Sequence, residues 1–208
     1  MSSPWRIAML LPLLALPTIP AANGCFAERC TDLVDADLPG DEVVITLRNA
    51  TPGPIFIPAG HGCDWQPLVI AKDGDERKWF RGACDWSCED VLDDCACAAD
   101  CAAASAIRLD PGASYELTWD LALYVNEDIS LDCPAEGCPT RCSRRTAAGD
   151  GDYDISASAS TMCADEASCA CAEGTTACEV FVDITATTLV AEATLALPGD
   201  EVEIVFRP

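Results

Sequence analysis

Cysteine has the most chemistry to offer in this chain: there are fifteen, and their spacing decides between a metal centre, a redox site and structural bridges. Zinc ribbons and dithiol redox sites use Cys-x-x-Cys, because a two-residue spacer lets two sulfurs face one tetrahedral ion or each other. That spacing occurs nowhere. Two Cys-x-Cys pairs do occur, Cys95-Ala-Cys97 and Cys169-Ala-Cys171, and closely spaced thiolates of that kind chelate soft ions such as Cu(I) or zinc. In an oxidising compartment the two members join separate disulfides instead, since a bridge between such near neighbours is strained. The spacing favours disulfides for Cys30, Cys63, Cys84, Cys88, Cys95, Cys97, Cys101, Cys133, Cys138, Cys142, Cys163, Cys169, Cys171 and Cys178. Soft-metal binding is the alternative; no cofactor or metal ligand is assigned.

Other constellations carry less. Asp150, Asp152 and Asp154 imitate the start of an EF-hand loop, but its sixth position needs glycine and holds Ile155, and its twelfth needs a bidentate Glu and holds Thr161. The segment reads as a solvated loop entering a strand, with an irregular calcium site at Asp150 and Asp152 as the alternative. The sole histidine, His61, stands in a Gly-His-Gly-Cys turn, and no nucleophile elbow, His-Glu-x-x-His or phosphate-cradling glycine loop occurs. Thirty-five acids put some carboxylate pair at a glycosidase distance by chance alone, so the expectation is no catalytic residue and no enzyme. For binding, Trp65, Trp79, Phe80 and Trp86 flank the first run of cysteines and are candidate partner anchors. The same positions also suit Trp79 in the core and Trp86 covering a disulfide.

Oxidised cysteines require export, and the first residues supply it. Met1 to Arg6 is a short cationic start, Ile7 to Leu16 is apolar, and Pro17 to Gly24 is small and turn-prone: a signal peptide over residues 1–24. Its apolar run is about half the roughly 20 residues a spanning helix needs, and no later segment offers a transmembrane span. Ala21-Ala22 suits ordinary cleavage, whereas Ala22-Asn23-Gly24-Cys25 resembles a bacterial lipobox with Ala22 in place of the usual Leu. Lipidation of Cys25 would leave an even number of cysteines to pair; Cys25 paired with Cys30 is the other reading. The expected location is therefore an outer-membrane-anchored lipoprotein, periplasmic or extracellular, or a freely secreted chain. A net charge of −23 repels nucleic acid and anionic membranes.

The elements that position these residues are strands. Residues 25–36 read as a tether and 37–208 as one acidic domain. Val43, Ile45 and Leu47 alternate with polar neighbours, Ile55-Phe56-Ile57 follows, and Leu68 to Lys72 with Glu76 to Phe80 flank the turn Asp73-Gly74-Asp75. Ile107 to Leu109, Tyr115 to Trp119, Tyr153 to Ala157, Val180 to Leu195 and Val202 to Phe206 complete eight or nine strands. Ala98 to Ala106 is the one candidate short helix, on alanine's propensity. The cysteines avoid these strands and gather in inserts at 82–105, 132–148 and 161–178. Leu38 to Arg48 matches Leu197 to Arg207 at eight of eleven positions, which reads as the first and last strands using the same turn and the same inward face.

An early strand running into Asn49, the Leu109-Asp-Pro-Gly-Ala-Ser turn, a strand ending at Trp119 and a strand start at Gly151-Asp-Tyr153 resemble the BsuPI-type proteinase inhibitor domain, an immunoglobulin-like sandwich of bacteria, over residues 41 to 160. The resemblance implies an all-β, single antiparallel immunoglobulin-like β-sandwich, here with three disulfide-bonded insertions, and inhibition as one possible activity. The connection from Trp119 to Gly151 is longer than the family's turn, the cysteine inserts have no counterpart there, and no inhibitory residue carries over. In style the chain is also similar to cysteine-rich exported lipoproteins of myxobacteria-like bacteria. The expected function is an exported, non-enzymatic structural or recognition module of the cell envelope, displaying pinned loops to a protein or surface ligand. A proteinase inhibitor and a soft-metal protein are the alternatives.

Overall fold

The computed structural model describes residues 35–38, 40–62, 64–82, 84–93, 95, 102–165, 167–184 and 186–208. Aliphatic alternation makes the central strands. In β1 (Val43–Asn49) every second side chain is buried, and in β10 (Gly151–Ala159) Tyr153, Ile155, Ala157 and Ala159 all point inward. Each fully buried Ile or Leu contributes about 1.5–3 kcal/mol of transfer free energy, so this period-two pattern fixes which face looks in.

The remaining strands are β2 (Ile55–Gly62), β3 (Asp64–Trp65), β4 (Val69–Lys72), β5 (Asp75–Arg77), β6 (Ala102–Leu109), β7 (Ser114–Trp119), β8 (Ala122–Asp128), β9 (Arg141–Ala147), β11 (Ala177–Val180), β12 (Leu189–Leu197) and β13 (Glu201–Phe206), with a one-turn helix α1 at Asp90–Asp93. The fold is all-β. Three sheets, in orders β13-β1-β7, β12-β10-β4-β5 and β11-β6-β2-β3, enclose one core, and β8-β9 forms a separate ribbon. The second and third sheets meet at a corner where Phe56 and Ser160 exchange backbone hydrogen bonds of 2.8 Å. At the centre Trp119 and Tyr153 pack edge to face at 5.5 Å, and the Trp119 indole N–H donates to the Ala122 carbonyl at 2.9 Å.

The fully buried Asn49 closes one end of the framework. Its amide donates to the carbonyls of Gly53 (2.8 Å) and Leu109 (2.9 Å), and its oxygen accepts from the Thr51 N–H and lies 2.8 Å from the Thr51 hydroxyl. All of its polar capacity is used, as burial of an amide demands.

The Asp73-Gly74 hairpin forms as expected: both residues are left-handed, with φ of 57° and 83°, and β4 and β5 pair across them. β1 and β13 are the first and last of the described strands, and they are immediate neighbours in the one parallel pairing among them, with Ile45 opposite Val202 and Leu47 opposite Ile204. This register slides the two related segments by two residues, which keeps both apolar faces on the core. Their turns differ, however. Gly40 is left-handed at φ 81°, whereas Gly199 is not, and a Cβ there would meet the Ala196 carbonyl oxygen at 2.6 Å. Leu197 ends a strand that must cross directly into the next sheet.

Three other expectations are corrected. Residues 102–106 are strand, not helix: pairing β6 between β2 and β11 outweighs alanine's helical preference. Val180 to Leu195 is not continuous, since β11 ends at Val180 and β12 begins at Leu189. Cysteines do enter strands, Cys142 in β9 and Cys178 in β11, so the long connection from Trp119 to Gly151 is itself a hairpin.

Candidate functional site

Every cysteine among the described residues is disulfide-bonded. Cys88 bonds Cys142, 54 residues away, and Cys95 bonds Cys138, 43 away. The first insert is thus cross-linked to the second, and the inner bridge nests inside the outer one. Cys84 and Cys133 are in disulfides as well. The cross-linked body has its own small core of Cys88, Val91, Ile129 and Cys142, with Trp86 packed against it. Its local structure follows from the sequence: Ser87 and Asp90 form a reciprocal capping box, the Asp90 N–H donating to the Ser87 hydroxyl at 2.9 Å and the Ser87 N–H to the Asp90 carboxylate at 3.0 Å. The Ser87 hydrogen bond, ahead of an opposing desolvation, holds the Asp90 carboxyl below its ordinary range.

This body is sewn to the framework along the ribbon. The Ser143 N–H donates to the Trp86 carbonyl at 2.8 Å, and the Tyr124 N–H donates to the Lys78 carbonyl at 2.7 Å. Arg144 holds Glu127 across the ribbon at 2.7 Å, and Asp35 accepts from the Arg145 N–H at 2.6 Å. Between the ribbon and residues 84–86 lies a hollow of about 170 Å³ lined by Asp85, Trp86, Asn126, Arg141, Cys142 and Ser143, among others.

The third insert is built differently. Cys163 bonds Cys169 and Cys171 bonds Cys178, six and seven residues apart, so each bridge closes a tight local loop. The Cys169-Ala-Cys171 pair is split between two disulfides and offers no thiolate pair to a soft metal. Arg108 anchors this insert to β6, donating to the Cys169 carbonyl at 2.8 Å and to Asp110 at 2.8 and 3.0 Å. The hydroxyl of Ser168 and the N–H of Ala167 lower the pKa of Asp165 within it.

Of the four aromatic residues, the three whose side chains are described, Trp79, Phe80 and Trp86, do not form one exposed surface. Trp79 is in the main core, its indole N–H donating to the Leu68 carbonyl at 3.1 Å. Phe80 packs partly buried against the same core, with its ring 6.4 Å from that of Trp79. Trp86 is half-buried beside the Cys88–Cys142 bridge and donates to the Cys95 carbonyl at 2.7 Å. Trp65 falls in β3 and His61 in β2; their side chains lie outside the described set, as do Cys25, Cys30, Cys63, Cys97 and Cys101.

The calcium alternative meets a cation already in place. The Lys72 ammonium takes the Asp150 carbonyl at 2.8 Å and the Gly149 carbonyl at 3.1 Å, while Asp152 and Asp154 stand on the solvent face of β10. Among the described residues no group of three or more His, Cys, Asp or Glu converges as metal ligands would, and no helix is long and apolar enough to cross a membrane. The polar residues of the hollow, Asn126, Arg141 and Ser143, escape sequence reasoning. The one signal that could find them is the alternation Arg141, Ser143, Arg145 around Cys142.

No protein-family model, no curated protein and no solved structure matches this chain.

Proposed function

We propose that this chain is an exported module of the cell envelope, without a catalytic role, that holds disulfide-pinned loops on a rigid sandwich for recognition of a protein or surface ligand. The supporting observation is the pair of long-range bridges, Cys88–Cys142 and Cys95–Cys138, which join two separate inserts into one fixed body on the ribbon. Fixing loops in advance reduces the entropy lost on binding, and bridges of this number suit an oxidising compartment. The apolar leader at residues 7–16 supports export. Attachment through a lipid on Cys25 and free secretion are separated by the intact mass of protein purified from a bacterial envelope.

The test is titration of oxidised protein onto envelope fractions, with reduced and alkylated protein alongside. Saturable retention of the oxidised form, at least about tenfold tighter than the reduced form, is expected if preorganised loops do the binding. Equal retention of both forms, or none, overturns the reading. Nanomolar inhibition of a protease in a parallel panel moves the assignment to the inhibitor suggested by the BsuPI-type resemblance.

A further inference from the structure

The three core sheets end in six edge strands among the described residues, and one of them differs from the rest. β3 has two residues, β5 three, β11 four, and β7 and β13 six each. β12 has nine, pairs with β10 rung by rung without a bulge, and contains no proline and a single charge, Glu192. Short length, charges, prolines and bulges are the devices that keep an edge from pairing with another chain, and β12 has only the one charge. Its outer side meets no strand among the described residues, because β13, which follows it, pairs with β1 instead.

The core is open along this edge. Leu189 and Ala193 alternate with the buried Ala191 and Leu195 on the core face, yet both are only partly buried. Val190, on the opposite face, is 66% exposed. A row of outward N–H and C=O groups bordered by half-covered apolar side chains is recognised by an extended chain, which continues the ladder and lays alternate apolar residues over Leu189 and Ala193.

The solvent face supplies the other half of the pattern. There Glu192 and Thr194 lie beside Asp152 and Asp154 of β10, and the Thr194 hydroxyl donates to the Asp154 carboxylate at 3.1 Å. Neither strand carries a basic residue. An open hollow of about 360 Å³ on that face, bordered by Val69, Asp154 and Glu192, has room for the aliphatic stem of a Lys or Arg whose charged head stays beside the carboxylates. The net charge of −23 draws in a basic segment and opposes a second copy, which brings the same charge with it.

We propose that β12 binds, by strand addition, an extended segment of a partner protein whose alternate residues are apolar on one face and Lys or Arg on the other. This surface belongs to the framework and does not depend on the pinned loops, so the two readings stand or fall separately.

The experiment titrates oxidised protein with a blocked nonapeptide of alternating Lys and Val, followed by calorimetry and by amide hydrogen exchange mapped along the chain. The peptide binds saturably and slows exchange in β12, while the other edges, β7 and β13, are unchanged. A peptide of alternating Lys and Pro has the same charge but cannot join a ladder, and it binds at least about tenfold more weakly, as loss of several hydrogen bonds requires. The exposed Glu192→Lys, which leaves the core face untouched, weakens the Lys-Val peptide by about fivefold. No saturable binding, equal binding of the Lys-Pro peptide, protection elsewhere than β12, or indifference to Glu192→Lys overturns the proposal. So does a dimer in sedimentation whose β12 exchange slows with protein concentration, since that gives the edge to a second copy.

Discussion

The two disulfide-bonded regions solve the same problem on different scales. In the ribbon body the bridges span 54 and 43 residues; in the third insert they span six and seven. On a chain-entropy argument the outer long bridge is worth about 4 kcal/mol and each short one about 2 kcal/mol. Nesting makes the second long bridge less than additive, because the first has already brought its ends near. The long bridges therefore substitute for a core the ribbon lacks, since its cluster is four residues and two of them are cysteines. The short bridges shape loops on a framework that already has a core. Long-range cross-links create a body, and local ones only stiffen a surface.

That contrast can be broken experimentally. Replacing Cys88 and Cys142 together by Ala should remove about 3 kcal/mol, less than an isolated bridge of that span because Cys95–Cys138 still closes the nested loop, and abolish hydrogen-exchange protection in β8 and β9 while β1 and β13 keep theirs. Equal loss in β1 would make ribbon and core one cooperative unit and dissolve the comparison. Replacing Cys171 and Cys178 together by Ala should cost about 2 kcal/mol, with faster exchange limited to the stretch around β11. A smaller effect, about 1 kcal/mol, is expected for Ser87→Ala, seen as local opening of residues 87–93 without change at the third insert.

The smallest effect is in acid. Asp90 and Asp165 both have carboxyl groups lowered below their ordinary range, chiefly by the hydroxyls of Ser87 and Ser168. The unfolded chain then binds the proton more readily than the folded one. The stability these groups add is complete above the ordinary carboxylate range and lost as pH falls through their folded values. Asp90→Asn should flatten the acid response of the ribbon body alone, and Asp165→Asn that of the third insert alone, each read as exchange rate against pH. Both groups are close to solvent, so salt should weaken the responses further.

Where aliphatic alternation ran through a segment, the sequence was sufficient. β1, β10, the Asp73-Gly74 hairpin and the shared inward face of the two related segments could all be read from it; that those two strands pair side by side could not. β8 and β9 could not, because Arg141-Cys-Ser-Arg-Arg-Thr-Ala has no aliphatic period; a bridge and a partner strand hold it extended. Residues 102–106 misled because alanine's preference is local and weak beside pairing with β2, which β11 joins from Ala106 onward. Val182 and Ile184 continue a strand-like pattern through a stretch that pairs with nothing as a strand. For the candidate site, the oxidised state of the described cysteines and the splitting of the Cys169-Ala-Cys171 pair were legible, but the cross-link between inserts was not, because spacing does not fix connectivity.

The parallel pairing of β1 and β13 also determines how the protein meets a mechanical load. The chain enters β1 at Val43, beside the start of β13, and leaves β13 at Phe206, beside Asn49 at the far end of β1. A pull applied before Val43 and after Phe206 drags the two strands past each other along their length. The rungs of the ladder then carry the load side by side instead of opening in sequence. Stretching single molecules between those two points should give one abrupt, high-force rupture.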